Sequence, residues 1–129
     1  MRIFCTKWFA RYARQENIAA ENLLEAVERA ERGLIDADLG GGLIKQRIPR
    51  KGQGRSGGYR TILAYRVRDF ALFLYGFAKN ETENIGANSL QFARELAAYW
   101  LTTDAERIAE GLISSELVEV FAHDKKNQT

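Results

Sequence analysis

The first residues of the chain predict a short strand followed by a helix. Met1 to Thr6 alternates side chains as a strand does, with Ile3 and Cys5 on one side. Thr6 is a suitable N-cap for a helix that begins at Lys7. That helix carries its aromatic side chains, Trp8, Phe9 and Tyr12, on one face.

A second helix is predicted from Ile18 to Arg32. Its apolar stripe repeats at i, i+1, i+4 and i+7 and consists of Leu23, Leu24, Val27 and Ala30. Asn17 is the expected N-cap, and Gly33 is a natural residue to end the helix. An extended piece from Leu34 to Leu39 then leads to three consecutive glycines that favour positive φ.

The middle of the chain alternates in the manner of strands. Leu43 to Ile48 alternates between its two faces, and Tyr59 to Val67 and Phe70 to Ala78 are rich in β-branched and aromatic residues. The short sequence around Asp69 predicts a hairpin turn, so the three strands form an antiparallel meander. One face would carry the basic side chains, and Phe73, Tyr75 and Phe77 would fill core positions at period two.

The last third of the chain returns to helical patterns. A helix capped by Asn88 or Ser89 is predicted to run to about Leu101. Thr103 to Glu106 reads as a capping box for a further short helix. Ile113 to Phe121 either extends the fold or packs on a partner.

Length and composition describe a single globular domain spanning 1–129, with a polar tail at 122–129 that is expected to fray. The residues are 46% hydrophobic and 28% charged, and no apolar run approaches the about 20 residues of a membrane span. A signal peptide is not recognisable, and one cysteine indicates a reducing compartment, so a cytoplasmic protein is expected. Cys5 is disfavoured as a nucleophile because the one histidine, His123, lies in the tail.

Charge is distributed unevenly along the sequence. The net charge is only +2, yet the stretch between Asp38 and Asp69 has no acidic residue and eight basic ones, Lys45, Arg47, Arg50, Lys51, Arg55, Arg60, Arg66 and Arg68. The remainder has eleven basic and seventeen acidic residues, a net charge of −6. A basic field on an otherwise acidic protein predicts contact with a polyanion such as nucleic acid.

Three motifs in and shortly after this stretch resemble the RelE/HigB toxins of bacterial type II toxin–antitoxin systems. They are Gly-Gly-Leu-Ile-Lys-Gln-Arg at 41–47, Lys-Gly-Gln-Gly-Arg-Ser-Gly-Gly-Tyr-Arg at 51–60 and Phe-Leu-Tyr-Gly-Phe-Ala-Lys-Asn-Glu at 73–81. The resemblance is closest to the HigB-like branch. It implies a small α/β (α+β) fold of the RelE type, in which a twisted antiparallel sheet carries two N-terminal helices and a C-terminal helix.

The resemblance also implies an activity. Members of the family enter the ribosome and cut mRNA there, which inhibits translation. The ribose 2′-hydroxyl attacks the adjacent phosphate without a metal, so no cofactor is expected. The implied partners are the ribosome, its mRNA and a cognate antitoxin, commonly a helix-turn-helix protein encoded next door. No membrane is implied.

The candidate catalytic residues are Lys45, Arg47, Arg60 and Lys79. The reaction needs a base and cations near the phosphate. Lys45 and Arg47 alternate onto one strand face and match the family's basic pair, with Lys45 as the candidate base, since neighbouring cations favour a neutral lysine. Candidate RNA-binding residues are Arg50, Lys51, Arg55, Arg66 and Asn80, and no metal ligands are expected.

The chain departs from the RelE pattern at two positions. Asn80 stands where RelE has an arginine, and Ile85-Gly86 stand where RelE has a tyrosine. Tyr59, Tyr65 or Tyr75 would have to replace that tyrosine, although a tyrosine in a sheet more often belongs to the core.

Two alternatives remain open at this point. The same fold serves ParE-like toxins, which bind DNA gyrase and have no nuclease activity, but these generally lack the strand cluster of Lys45 and Arg47. A non-catalytic RNA-binding module with an aromatic sheet and basic rims is the other alternative.

Overall fold

The computed structural model describes residues 1–50, 54–78 and 85–121, with only the backbone described for 54–57. Six strands and four helices alternate along this part of the chain. The strands are β1 (Arg2–Thr6), β2 (Ala37–Gly40), β3 (Leu43–Arg50), β4 (Gly54–Arg66), β5 (Phe70–Ala78) and β6 (Leu117–Glu119). The helices are α1 (Lys7–Gln15), α2 (Ala20–Glu31), α3 (Ala87–Thr102) and α4 (Ala105–Ser114). The fold is therefore α+β, as predicted.

All six strands form one sheet in the order β2-β3-β4-β5-β1-β6. The antiparallel meander of β3, β4 and β5 is confirmed. The expectation of a purely antiparallel sheet is wrong, because β1 lies parallel to β5, with Arg2 opposite Phe70 and Cys5 opposite Phe73. β6 then pairs antiparallel with β1, so the end of the described chain extends the sheet.

Helices cover the sheet on both faces. On one face, α1 and α2 bury Phe9, Leu23 and Val27 against a cluster that includes Leu63 and Phe73. On the other face, α3 packs Ala93, Ala97 and Trp100 against Ile62 and Leu72. The resemblance implied one C-terminal helix, whereas the capping box predicted a further short helix. The second prediction is confirmed, because α4 follows α3 and leads into β6.

Helix ends agree with the sequence in two cases and differ in three. Gly33 follows the C-cap of α2 with φ +84°, as predicted. The Thr6 hydroxyl accepts a hydrogen bond from the Phe9 N–H at 3.1 Å, as predicted. Asn17 is not a cap; it has φ +58°, and α2 begins at Ala20. In α4 the cap is Asp104 rather than Thr103, because its carboxylate accepts from the Arg107 N–H at 2.8 Å.

For α3, neither Asn88 nor Ser89 is the cap. The helix begins at Ala87, with Gly86 in the N-cap position and no side-chain cap. No helix in the described part of the chain is long and apolar enough to cross a membrane.

Glycine is required at two positions, by its positive φ at Gly42 and by close packing at Gly76. A Cβ on Gly42 would lie 2.6 Å from the Leu101 side chain, and Gly42 also has φ +81°. A Cβ on Gly76 would lie 2.9 Å from the Tyr12 ring and 3.0 Å from the Phe9 ring. Gly76 therefore lets α1 lie directly on β5, beyond the point where β1 ends.

Candidate nucleic-acid interface

Three of the predicted basic residues lie on one face of two neighbouring strands. Arg47 of β3 is directly opposite Arg60 of β4, and Lys45 is opposite Ile62. Side chains at directly opposed positions have Cβ atoms about 4.5–5.5 Å apart. Leu43, Ile62 and the three cations thus share the face that also carries α3, as the alternation predicted.

The three cations differ in exposure. Arg60 is 7% exposed, Lys45 is half-buried, and Arg47 is exposed. Burial, followed by the charge of Arg47, lowers the pKa of Arg60, while Asp36 opposes the shift. An arginine stays protonated in proteins even so, and like charges directly opposite each other destabilise a sheet. A phosphate bound beside the pair would offset both effects.

A buried amide fixes the strand that carries Lys45 and Arg47. Gln46 is fully buried on the opposite face. Its side-chain oxygen accepts from the Asp36 N–H at 2.7 Å, and its amide donates to the carbonyls of Ala26 at 2.9 Å and Leu34 at 3.2 Å. β3 is thereby tied to α2 and to the connection after it, which sets which side chains face outward.

On the side of β3 that faces away from β4, side chains bond the Arg47 backbone where no strand pairs with it. β2 pairs with β3 only as far as Lys45. Beyond that point the Arg47 N–H donates to the Asp36 carboxylate at 2.7 Å, and the Arg47 carbonyl accepts from the buried Arg29 guanidinium. Arg29 is also bound by Glu25 at 2.9 Å, so this edge of the sheet is closed by an ionic network.

The remaining predicted RNA-binding residues do not all join this surface. Arg50 lies at the end of β3 with its guanidinium 5.5 Å from the centre of the Tyr59 ring. Arg66 lies six residues from Arg60, or roughly 20 Å along β4. It forms an ion pair with Asp69 at 2.6 Å and donates to the Leu101 carbonyl at 2.7 Å. Lys51, Lys79 and Asn80 lie outside the described residues, as does the side chain of Arg55.

The three tyrosines proposed as substitutes are in different places. Tyr59 and Tyr65 are buried on the α1–α2 face, where their hydroxyls donate to Glu16 and Glu31. Burial and the Glu31 hydrogen bond raise the pKa of Tyr65. Tyr75 is half-exposed and lies opposite Ile62, in the same cross-strand row as Lys45. Of the three, Tyr75 is the one on the face of the sheet that carries Lys45, Arg47 and Arg60.

The sequence pattern missed the environment of Tyr75. A register shift between Ile62 and Leu63 places Phe73 on the α1–α2 face but Tyr75 on the other, so the prediction of one period-two core face is wrong. The Trp8 ring stacks on Tyr75, with centroids 4.9 Å apart and planes 19° apart. The spacing of aromatic residues in α1 could not predict this contact with β5, because the contact depends on where β1 ends.

The described residues also bear on metal and thiol sites. The part of the chain that the structure describes contains no group of three or more His, Cys, Asp or Glu side chains arranged to hold a metal. Cys5 is buried in the sheet, and burial raises the pKa of its thiol to about 12, which opposes its use as a nucleophile.

The fold and the surface together define a small α+β protein with three basic side chains on one face of β3 and β4. Residues 1–120 match the model of a family described as the RelE toxin of the RelE/RelB toxin–antitoxin system. The chain therefore belongs to the RelE toxin family, and membership implies an antitoxin partner. The search of curated proteins finds no match.

Proposed function

We propose that this toxin is a ribosome-dependent endoribonuclease that cuts mRNA and thereby inhibits translation. The observation that carries the proposal is the juxtaposition of Lys45, Arg47 and Arg60 on one face of β3 and β4. RelE family membership supports the same reading, and the resemblance is to the HigB-like branch of that family.

The chemistry assigned to each residue follows from its donors. In this proposal, Lys45 takes the proton of the 2′-hydroxyl, whose oxygen attacks the adjacent phosphorus. The bond to the 5′-oxygen breaks, leaving a 2′,3′-cyclic phosphate and, after protonation, a 5′-hydroxyl. Arg60 and Arg47 stabilise the charge that builds on the phosphate, because planar guanidinium groups bind two phosphate oxygens at once. Loss of such a donor typically lowers the rate roughly 10²-fold or more.

Further residues extend the site in this proposal. Lys79 completes the ring of cations by resemblance to the family. Arg50, Lys51, Arg55 and Asn80 contact the RNA backbone in this proposal, and such phosphate contacts supply affinity that is independent of sequence. Arg66 would contact RNA separately from these residues, because it lies at the far end of β4.

The proposed partners are the ribosome with its mRNA and an antitoxin of the helix-turn-helix class. An antitoxin that neutralises this toxin is expected to offer acidic groups, since the cluster of Lys45, Arg47 and Arg60 carries net positive charge.

Inducible expression in bacteria tests the proposal. Wild-type chain should arrest growth and cut translated mRNA, whereas the double variant Lys45→Ala with Arg60→Ala should do neither. Arg32→Ala is the matched control. Arg32 is an exposed arginine at the C-terminal end of α2, and among the described residues it pairs only with Glu28, at 3.8 Å. Arrest with intact mRNA and altered DNA supercoiling would instead indicate a ParE-like gyrase poison. Folded wild-type protein without arrest would indicate an RNA-binding module.

A further inference from the structure

Asp36 lies just before β2 and bonds β3 at two successive residues. Its backbone N–H donates to the buried Gln46 side chain at 2.7 Å, and its carboxylate accepts from the Arg47 N–H at 2.7 Å. The pairing of β2 with β3 extends only to Ala37 opposite Lys45. Beyond that pair, Asp36 supplies the bonds that a longer β2 would have made with the edge of β3.

One oxygen of the Asp36 carboxylate serves two donors. Its Oδ2 accepts from the Arg47 N–H and lies 3.4 Å from Nη1 of Arg29. The same Arg29 guanidinium donates to the Arg47 carbonyl, and Glu25 binds its Nε at 2.9 Å. Arg29 is 5% exposed, and hydrogen bonds that are shielded from water are stronger. Asp36 and Arg29 thus form a clamp that holds both backbone polar groups of Arg47.

The clamp fixes the kind of cross-strand pair that Arg47 forms with Arg60. Asp36 and Arg29 bond Arg47 on the side of β3 away from β4, so the N–H and C=O of Arg47 both point away from β4. Arg47 and Arg60 are directly opposite each other and therefore form a non-hydrogen-bonded pair. In such pairs the Cα atoms are only about 4.5 Å apart, and the side chains are closer than in the alternate pairs.

Asp36 also places a negative charge near the two arginines. Burial and then the charge of Arg47 lower the pKa of Arg60, and the Asp36 carboxylate opposes both effects. A carboxylate repels a second anion, so the charge of Asp36 alone would hinder phosphate binding by the pair. The geometry and the charge of Asp36 therefore act in opposite directions, and substitutions can separate them.

We propose that Asp36 is a positioning residue for mRNA cleavage, holding the Arg47 guanidinium beside Arg60 where the scissile phosphate binds. The inference rests on the proposed function and adds a residue that touches no reacting atom. A misplacement of about 1 Å can lower a rate roughly 100-fold. Because Arg47 is assigned to charge that builds in the transition state, its displacement should lower kcat rather than raise KM.

Two substitutions separate the position of the Asp36 oxygen from its charge. Asp36→Asn removes the charge but keeps an oxygen that can accept from both the Arg47 N–H and Arg29, whereas Asp36→Ala removes the charge and the oxygen. In cleavage of mRNA on programmed ribosomes, kcat of Asp36→Asn should stay within about threefold of the wild type. Asp36→Ala should lower kcat roughly 10-fold or more and change KM less than about threefold.

Asp36→Glu makes the same test with the charge intact. The side chain is longer by one methylene, so its carboxylate cannot bond the Arg47 N–H without displacing β3, and kcat should fall as in Asp36→Ala. Glu31→Ala is the matched control. Glu31 also accepts an arginine backbone N–H, that of Arg68 at 2.9 Å, but beyond the far end of β4. Its loss should lower the free energy of unfolding in urea while kcat changes less than about twofold.

Sulfate binding, followed through the melting temperature, tests the placement of Arg47 without cleavage. Asp36→Asn should bind sulfate at least as tightly as the wild type, and Asp36→Ala about threefold or more weakly than Asp36→Asn. Equal sulfate binding by these two variants would overturn the inference. So would equal kcat values for them, or an equal fall of kcat in Asp36→Ala and Glu31→Ala. A wild type that cuts no mRNA but shows the sulfate difference would overturn the proposed cleavage and support the placement of Arg47 by Asp36.

Discussion

Arg47 and Arg60 lie directly opposite each other on β3 and β4, and Arg60 is 7% exposed. Two guanidinium groups in this position repel each other, and burial adds a desolvation cost to one of them. A sheet does not need such a pair for its stability. An anion bound between them would offset both costs, and the cleavage proposed above would bring a backbone phosphate there.

An anion should therefore stabilise the fold through this pair. Sulfate is expected to raise the melting temperature of the wild type more than chloride does at equal ionic strength, because it binds the folded state. Arg60→Met keeps much of the side-chain volume and should remove most of that difference. Equal sulfate effects in the two proteins would contradict an anion site at Arg60.

The buried Gln46 side chain should contribute substantially to the free energy of unfolding, although it is polar. Gln46→Leu would leave the Asp36 N–H and the carbonyls of Ala26 and Leu34 without this partner. We expect a loss of about 2 kcal/mol or more in the free energy of unfolding from urea denaturation. Gln91→Leu on exposed α3 is the control and should cost less than about 0.5 kcal/mol. Similar losses in both variants would refute the role of Gln46.

Gly76→Ala should strain the contact between α1 and β5. The added Cβ would lie 2.9 Å from the Tyr12 ring and 3.0 Å from the Phe9 ring. Overpacking of this kind costs about 1–3 kcal/mol. A double-mutant cycle with Tyr12→Leu measures the cause, since the smaller side chain should reduce the cost of Gly76→Ala. An additive cycle would show that the Tyr12 contact is not responsible.

The contact between Glu31 and Tyr65 should make stability depend on acid pH. Two hydrogen bonds lower the pKa of the Glu31 carboxyl below the ordinary 4.5. The larger effect comes from the Tyr65 hydroxyl, and the next from the Arg68 N–H at 2.9 Å. A depressed carboxyl pKa contributes stability that is present above the ordinary value and is lost as the pH falls through the lowered one. Glu31→Gln should therefore flatten the loss of stability below pH 4.5, and Tyr65→Phe should flatten it in part. Unfolding free energies that fall in parallel for all three proteins would disprove the linkage.

Local pattern was sufficient to predict much of the basic face. The alternation of Leu43, Lys45 and Arg47 along one strand, and of Arg60 and Ile62 along the next, fixes which side each residue faces. A hairpin joins β4 to β5 at Asp69, as its residues predicted. These features depend on residues close together in the chain, and they can therefore be predicted from one sequence.

Features that depend on distant pairing could not be predicted. The parallel pairing of β1 with β5 joins residues nearly seventy positions apart. It ends at Phe73, so that Trp8 of α1 stacks on Tyr75 just beyond it. The register shift at Leu63 reverses the facing of Phe73 relative to Tyr75 and leaves no mark in the apolar pattern. The buried amide of Gln46 reads as polar in sequence, because its partners come from α2 and the segment after it.

Cleavage on a programmed ribosome tests the central claim most directly. Purified toxin is added to ribosomes holding an mRNA whose A-site codon carries a single 2′-deoxy substitution at the attacking nucleotide, beside an unmodified mRNA. The account predicts a cut in the unmodified mRNA with a 2′,3′-cyclic phosphate and a 5′-hydroxyl at the new ends, and no cut at the deoxy position. The Lys45→Ala toxin should cut neither. Cleavage of the deoxy mRNA at the same position, or ends bearing a 5′-phosphate, would contradict the mechanism assigned to Lys45, Arg47 and Arg60.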